Sequence, residues 1–458
     1  MYITRDRTIL GLGVALALVA GSAAATNGYY THGTGTKSKA QAGAGSANPQ
    51  EILSLATNPA AVAFVPESID AGLGIFSPRR DYRTSASLAN GNGGAFTIGP
   101  NNLSSDAEYF AIPFVGMNWN LSDVDHLAAA FYARGGMNTR WVGGTATFDP
   151  DGPGPAPVMT LDGTYGGGTA GVDLMQGFLN LTYARSFADQ FSLGVSGILA
   201  IQRFEARGVS TFAGYTETFA RSGGTRMPTA LSGNGHDMSY GYGASIGFQW
   251  NPSEMFSLAA AYTTELSMSE FSDYEDLFAE EGGFDMPATA TFGIAFKPND
   301  RLAVMFDVQE IWYSDISSVG NPVQNIFRCP TAGQGGTDFE SCLGGSRGAG
   351  FGWEDMTVYK LGASWKLDDQ WTFRGGYSQA DQPIPKDQMT FNILAPGVVE
   401  QHFTVGFTRT QPGGNELNFT FMYAPENDIR GPSNFDPTQT VELSMDQFEF
   451  EVSYSWKR

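Results

Sequence analysis

Apolar and polar residues alternate with period two along most of the chain after residue 66. Period-two alternation puts apolar side chains on one face of a strand and polar ones on the other. The pattern predicts fourteen strands, at about 67–77, 108–120, 126–136, 173–187, 191–206, 236–250, 255–268, 287–297, 301–313, 355–367, 370–380, 399–411, 416–425 and 445–456. The joins between them alternate in length. Short ones include Asn251-Pro252-Ser253-Glu254, Lys297-Pro298-Asn299-Asp300, Leu367-Asp368-Asp369-Gln370 and Pro412-Gly413-Gly414-Asn415. Long ones include 207–235, 314–354 and 427–443. An even number of alternating strands, with short turns at one end and long loops at the other, predicts an all-β, antiparallel outer-membrane barrel. The segment 78–107 leaves room for one further hairpin.

The alternation also assigns faces. Phe448, Phe450, Val452, Tyr454 and Trp456 share one face of the last strand, and Glu449, Glu451, Ser453 and Ser455 the other. The aromatic face must meet lipid, because a charge there costs about 2–4 kcal/mol at the bilayer midplane. Leu193, Val195, Leu199 and Ile201 form a similar outward stripe. The same logic turns Lys360, Arg374, Asp307 and Gln309 into the lumen. Such lumenal charges either pair with each other and with a plug, or meet a ligand.

Residues 26–65 differ: they are rich in Gly and Ala and show no alternation. Asn48 followed by Pro49 reads as an N-cap and first helical position over 49–56. This segment is either a free tail or a plug inside the barrel; its small apolar residues favour the plug. Ahead of it, Arg5 and Arg7, the apolar run Ile9 to Ala20 and Ala23-Ala24-Ala25 read as a signal peptide over 1–25. The expected division is therefore signal peptide 1–25, hatch 26–65 and barrel 66–458, in the outer membrane of a Gram-negative cell.

Composition narrows the classes. The net charge is −21, which argues against nucleic acid as a partner. The acidic loops read as solvated rather than as cation sites. Cys329 and Cys342 lie in one long loop of an exported chain, which favours a disulfide over free thiols. No metal site or cofactor is expected. Gly243-Ala244-Ser245-Ile246-Gly247 matches G-x-S-x-G but lies inside an alternating strand, whereas a nucleophile elbow needs strand, turn and helix. Asp149-Pro150-Asp151-Gly152 is too short for a calcium loop. An enzyme is not expected.

An ordered set of segments resembles the long-chain fatty acid transporter (FadL) family of outer-membrane proteins. It comprises Asn58-Pro59-Ala60 before the first strand, Phe284-Asp285-Met286-Pro287-Ala288-Thr289, Trp353-Glu354-Asp355, Thr372-Phe373-Arg374-Gly375-Gly376-Tyr377, and Gln382-Pro383-Ile384-Pro385. The resemblance implies a fourteen-stranded barrel with an N-terminal hatch that takes up hydrophobic molecules. Long-chain fatty acids are the first expectation, with hydrocarbons or aromatic compounds as the alternative within the fold and a general aqueous porin as the alternative outside it. The expected partners are the bilayer, its lipopolysaccharide and a hydrophobic small molecule, with the protein a monomer. Arg374 and Lys360 are the candidates for a substrate carboxylate. Asn58, Pro59 and Ala60 are the candidate hatch motif. Phe271, Tyr274, Leu277 and Phe278 form an apolar patch in an acidic loop, read either as a capture surface or as loop packing.

Overall fold

A computed structural model gives the fold, describing residues 27–149, 156–187 and 190–458. The signal-peptide reading at 1–25 and most of the Asp149–Gly152 turn lie outside the described residues. No helix among the described residues is long and apolar enough to cross a membrane.

Fourteen antiparallel strands close into a barrel. They are β1 (Ser68–Thr84), β2 (Phe110–Asn120), β3 (Asp125–Asn138), β4 (Gly171–Phe187), β5 (Phe191–Arg207), β6 (Asp237–Trp250) and β7 (Phe256–Thr263). The circuit continues through β8 (Thr289–Asn299), β9 (Leu302–Ile311), β10 (Met356–Lys366), β11 (Trp371–Gln379), β12 (Gln401–Thr410), β13 (Glu416–Pro432) and β14 (Thr440–Lys457). Each strand pairs with its sequence neighbours, and β14 returns to β1 along seventeen residue pairs from Ser68–Lys457 to Thr84–Val441. Closure pairs every strand with both of its neighbours, which is what a strand-built wall in lipid requires.

Two expectations about length are corrected. β1 continues to Thr84 instead of ending near residue 77, and no extra barrel hairpin lies in 78–107; the short strand Asn102–Ser104 pairs back onto β1. The long join expected at 427–443 is mostly strand, with only residues 433–439 between β13 and β14. The ladder runs on through Ile429–Leu443 and Arg430–Glu442 after a bulge between Ala424 and Asn427. Above the lipid both faces of a strand meet polar surroundings, so alternation fades while the hydrogen bonds continue.

The faces follow the alternation. Val195, Leu199, Phe450, Val452 and Trp456 are exposed on the outside, and Glu449, Glu451, Ser453 and Ser455 are buried inside. The lumen between these inward faces is filled by the hatch at the short-turn end and by folded-in loops at the long-loop end.

The hatch, residues 27–65, holds three short helices: Thr36–Lys39, Ile52–Ala56 and Pro59–Phe64. The helix expected from Asn48-Pro49 starts later, at Ile52 with Glu51 in the cap position. The Asn-Pro cap is used ten residues further on: Asn58 caps the helix that Pro59 opens, its side chain accepting from the Ala60 N–H at 3.0 Å. Ion pairs fasten the hatch to the wall. Lys39 Nζ lies 2.5 Å from Glu449 and 2.6 Å from Glu451, and Lys37 Nζ lies 2.6 Å from Glu416. Asp307 accepts from the Gly45 and Ser46 amides, and Asp70 from the Ile52 amide.

Glu449 and Glu451 are 1 % exposed, so removing Lys39 strands two buried carboxylates. Lys39→Met is expected to cost about 3–5 kcal/mol, read as a lowered urea midpoint of the barrel folded in liposomes. The Lys39→Met, Glu449→Gln, Glu451→Gln triple variant is expected to recover most of that loss.

Candidate functional site

Three features of the lumen bear on function: an apolar cavity, the hatch beneath it, and a break in the wall beside both.

The cavity lies among the folded-in loops at the long-loop end. Val172 of β4 and Phe204 of β5 supply its wall; Val209, Phe212, Leu277, Phe278, Leu343, Phe351, Phe391 and Leu394 come from four different loops. None of its lining residues is charged. Aromatic rings interlock around it, with Phe204 and Phe278 centroids 4.6 Å apart and Phe212 meeting Phe391 edge-on at 5.3 Å. The segment around the short helix Met389–Asn392 ties the loops together. Trp141 Nε1 donates to Ile393 O at 2.9 Å, Tyr165 to Thr390 O at 2.7 Å, and Trp353 Nε1 to Asn392 Oδ1 at 2.6 Å. Polar tips on large apolar rings thus satisfy loop carbonyls without charging the cavity.

The loop patch turns inward. Phe271 and Tyr274 are fully buried and pack on Phe204, and Leu277 and Phe278 line the cavity. Its residues form no exposed surface for capture, because the loop folds back into the lumen and buries them. Cys329 and Cys342 are bonded to each other and buried in the neighbouring loop. In that loop hydrogen bonds from Arg347 and Ser341 hold the Asp338 carboxyl below the usual carboxylate range.

Asn58, Pro59 and Ala60 sit where the hatch touches β5 and β6. Asn58 Nδ2 donates to Phe248 O at 3.2 Å, and Ser192 Oγ donates to Ala60 O at 3.0 Å. The wall opposite is glycine: a Cβ on Gly194 would overlap the Pro59 backbone, and one on Gly247 the Asn58 side chain. Gly376 and Gly406 make the same room for Gln41 and Ala40. Within the hatch, burial pushes the Glu51 carboxyl up to about 7 against the pull of Lys37 and the Ser38 amide.

Lys360 and Arg374 both face the lumen, and both are spent on the hatch and wall. Lys360 donates to His32 O at 3.1 Å and Gln309 at 2.8 Å; Arg374 donates to Gln50 at 2.8 Å and Thr408 at 2.7 Å. Neither lines a cavity described above. Ser245 of the G-x-S-x-G match is an inward residue in mid-strand, and no histidine bonds its hydroxyl.

The break in the wall lies between β2 and β3. Their pairing runs from Asn120–His126 only as far as Phe114–Tyr132. Beyond it, β2 stays paired to β1 up to Phe110, and β3 to β4 up to Asn138. Residues 110–113 and 133–138 therefore flank a window. Pro113, which has no N–H, and a bulge between Ala133 and Gly135 mark its start. The window closes again where the Asp106 N–H donates to Arg140 O at 2.9 Å. From inside, the hatch covers the free edge of β3: Thr31 N–H donates to Arg134 O at 2.8 Å and Gly136 N–H to Tyr29 O at 3.0 Å. A second cavity, ≈170 Å³, opens at the window and shares Val172 with the apolar one.

A closed barrel stoppered by its own N-terminal segment, with an apolar cavity above the stopper, is a channel of the plugged type for hydrophobic compounds. Comparison places it further: a family model described as outer membrane protein transport protein (OMPP1/FadL/TodX) matches residues 16–430, and the chain belongs to that family of Gram-negative outer-membrane transporters. The P. putida toluene transporter TodX is 15 % identical with a TM-score of 0.57, covering 93 % of this chain and 99 % of that one. A Pseudomonas aeruginosa FadL homologue is 16 % identical at 0.61, covering 94 % and 99 %. The Ralstonia pickettii toluene transporter TbuX is 16 % identical at 0.55, covering 93 % and 98 %. No curated protein matches the chain. At these identities the solved structures establish the fold.

Gly247→Val is expected to push Asn58 and Pro59 off the wall and raise single-channel conductance in planar bilayers several-fold. Gly197→Val, on the same strand pair but with open space around its Cβ, is expected to leave conductance at the wild-type level.

Proposed function

We propose that this protein is a passive outer-membrane channel for uptake of hydrophobic molecules, with long-chain fatty acids as its main substrates. The observation that carries this reading is the uncharged aromatic cavity held above an intact hatch. A hydrophobic molecule crosses the lipopolysaccharide layer poorly, and an uncharged aromatic cavity offers it a place to leave water. The hatch blocks straight passage of water and ions. The window beside Val172 gives the bound molecule a path sideways through the wall into the lipid, where its apolar surface stays out of water. Release then requires the segment around Tyr29 and Thr31 to leave the edge of β3, with Asn58-Pro59-Ala60 as the fixed end of the hatch.

In this reading Lys360 and Arg374 serve as hatch anchors, not as carboxylate ligands. The absence of charge in the cavity lining supports a second reading within the same fold, a neutral hydrocarbon as substrate.

Cells expressing the protein are expected to take up labelled oleate saturably, while the reconstituted protein conducts ions poorly. Phe391→Asp, which puts a charge in the cavity, is expected to abolish uptake and leave the heat-modifiable migration of the folded barrel unchanged. High conductance without uptake of oleate or toluene would refute the reading in favour of an aqueous porin. Arg374→Ala is expected to raise conductance by loosening Gln50 rather than to weaken oleate binding.

A further inference from the structure

The outward face of β6 to β9 carries a notch and a charge. Two rows of side chains cross the ladder there. In the upper row Glu310 stands opposite Ala290, Ala290 opposite Tyr262, and Tyr262 opposite Ile246. In the lower row Val308 stands opposite Phe292, Phe292 opposite Ala260, and Ala260 opposite Phe248. The two alanines are diagonal neighbours between larger side chains; the rings of Tyr262 and Phe292 are 44 % and 46 % exposed. The result is an apolar groove on the lipid side that runs through Ala260 and Ala290 and ends at Glu310.

Contact with hydrocarbon alone does not account for Glu310. Phe306 and Val308 precede it on the outward face of β9, while Asp307 and Gln309 turn into the lumen. The next outward residue, Trp312, has its ring 6.0 Å from that of Tyr262. Rings of this kind form the girdle where a barrel meets the membrane–water boundary. The Glu310 carboxylate accepts from Thr357 Oγ1 at 2.7 Å, a neutral donor, and forms no ion pair among the described residues. The sequence holds no lysine or arginine between Arg226 and Lys297 or between Arg301 and Arg328. Lys297 and Arg301 lie at the short-turn end, so β6 to β9 bring no such cation to the upper end of the groove. On β10, beside Glu310, Lys360 points into the lumen and is held by His32 O and Gln309. A carboxylate at the edge of the hydrocarbon is stabilised by a cation, and the protein supplies none there.

We propose that this groove binds one lipid whose head group carries a primary amine. The ammonium donates to Glu310 beside the Trp312 and Tyr262 rings. One acyl chain lies along Ala290 and Ala260, where the neighbouring rings pack against it. The site faces lipid on strands other than those flanking the window, so it is separate from the path of a transported molecule.

The test is native mass spectrometry of the purified full-length barrel, titrated with phosphatidylethanolamine and phosphatidylcholine of identical chains. Both lipids are zwitterionic and share the phosphate, but the choline nitrogen has no N–H to donate. The ethanolamine lipid is expected to bind about tenfold more tightly, the strength of one charge-assisted hydrogen bond. Glu310→Gln is expected to erase that preference. Ala290→Leu, which fills the groove and keeps the lipid face apolar, is expected to weaken binding of both lipids alike. Equal affinity of the wild type for the two lipids, a preference that survives Glu310→Gln, or binding indifferent to Ala290→Leu would overturn the site. So would stronger binding of phosphatidylglycerol that requires calcium and disappears with a chelator, since the partner of Glu310 would then be a metal ion.

Discussion

In the bilayer no water is available to a backbone N–H or C=O, and each group left unpaired costs several kcal/mol. The rest of this structure is arranged around that constraint. Fourteen strands satisfy it by closing on themselves, with β14 returning to β1 over the full length of both. At the window between β2 and β3 the pairing of neighbouring strands stops early, and there the hatch supplies the missing partners through Tyr29 and Thr31. The same segment thus plugs the lumen and completes the wall. Opening the wall and moving the N-terminal end of the hatch become one event, because the backbone hydrogen bonds that hold one hold the other.

A plug inside a barrel raises a packing problem and a charge problem, and the sequence solves them with different residue types. Glycines at lumenal positions let the hatch backbone approach the strands, as at Gly194, Gly247, Gly376 and Gly406. Acids on β9, β13 and β14 then fix it, through Asp307, Glu416, Glu449 and Glu451. Asn58-Pro59 shows why a short motif persists at such a point. Asn58 caps its own helix and bonds the wall, while Pro59 gives up an N–H that a helix start does not use and packs where only glycine fits opposite.

All fourteen strands were legible in the alternation because lipid on the outside forbids charge at every second position. The inward direction of Lys360, Arg374, Glu449 and Glu451 was legible for the same reason. What those residues meet was not, since alternation reports a face and says nothing of what fills the lumen. The fate of Phe271, Tyr274, Leu277 and Phe278 was illegible in the same way, because an apolar loop segment reads alike whether it lies on the surface or folds inward. A signal was available elsewhere. Residues 384–399, between β11 and β12, carry Ile384, Met389, Phe391, Ile393, Leu394, Val398 and Val399, far too many apolar groups for a solvated loop. That density marks a loop that fills a cavity.

The cavity and the window divide the work of recognition by dielectric surroundings. Aromatic rings from four loops exclude water and charge, so the cavity holds hydrocarbon by area alone and discriminates poorly among molecules of similar size. Of the two cavities, the one at the window is bordered by charged groups: Asp173, Glu205, Arg140 and Arg207. Loops line the cavity and strands close the wall, so the lining can change without disturbing the ladder.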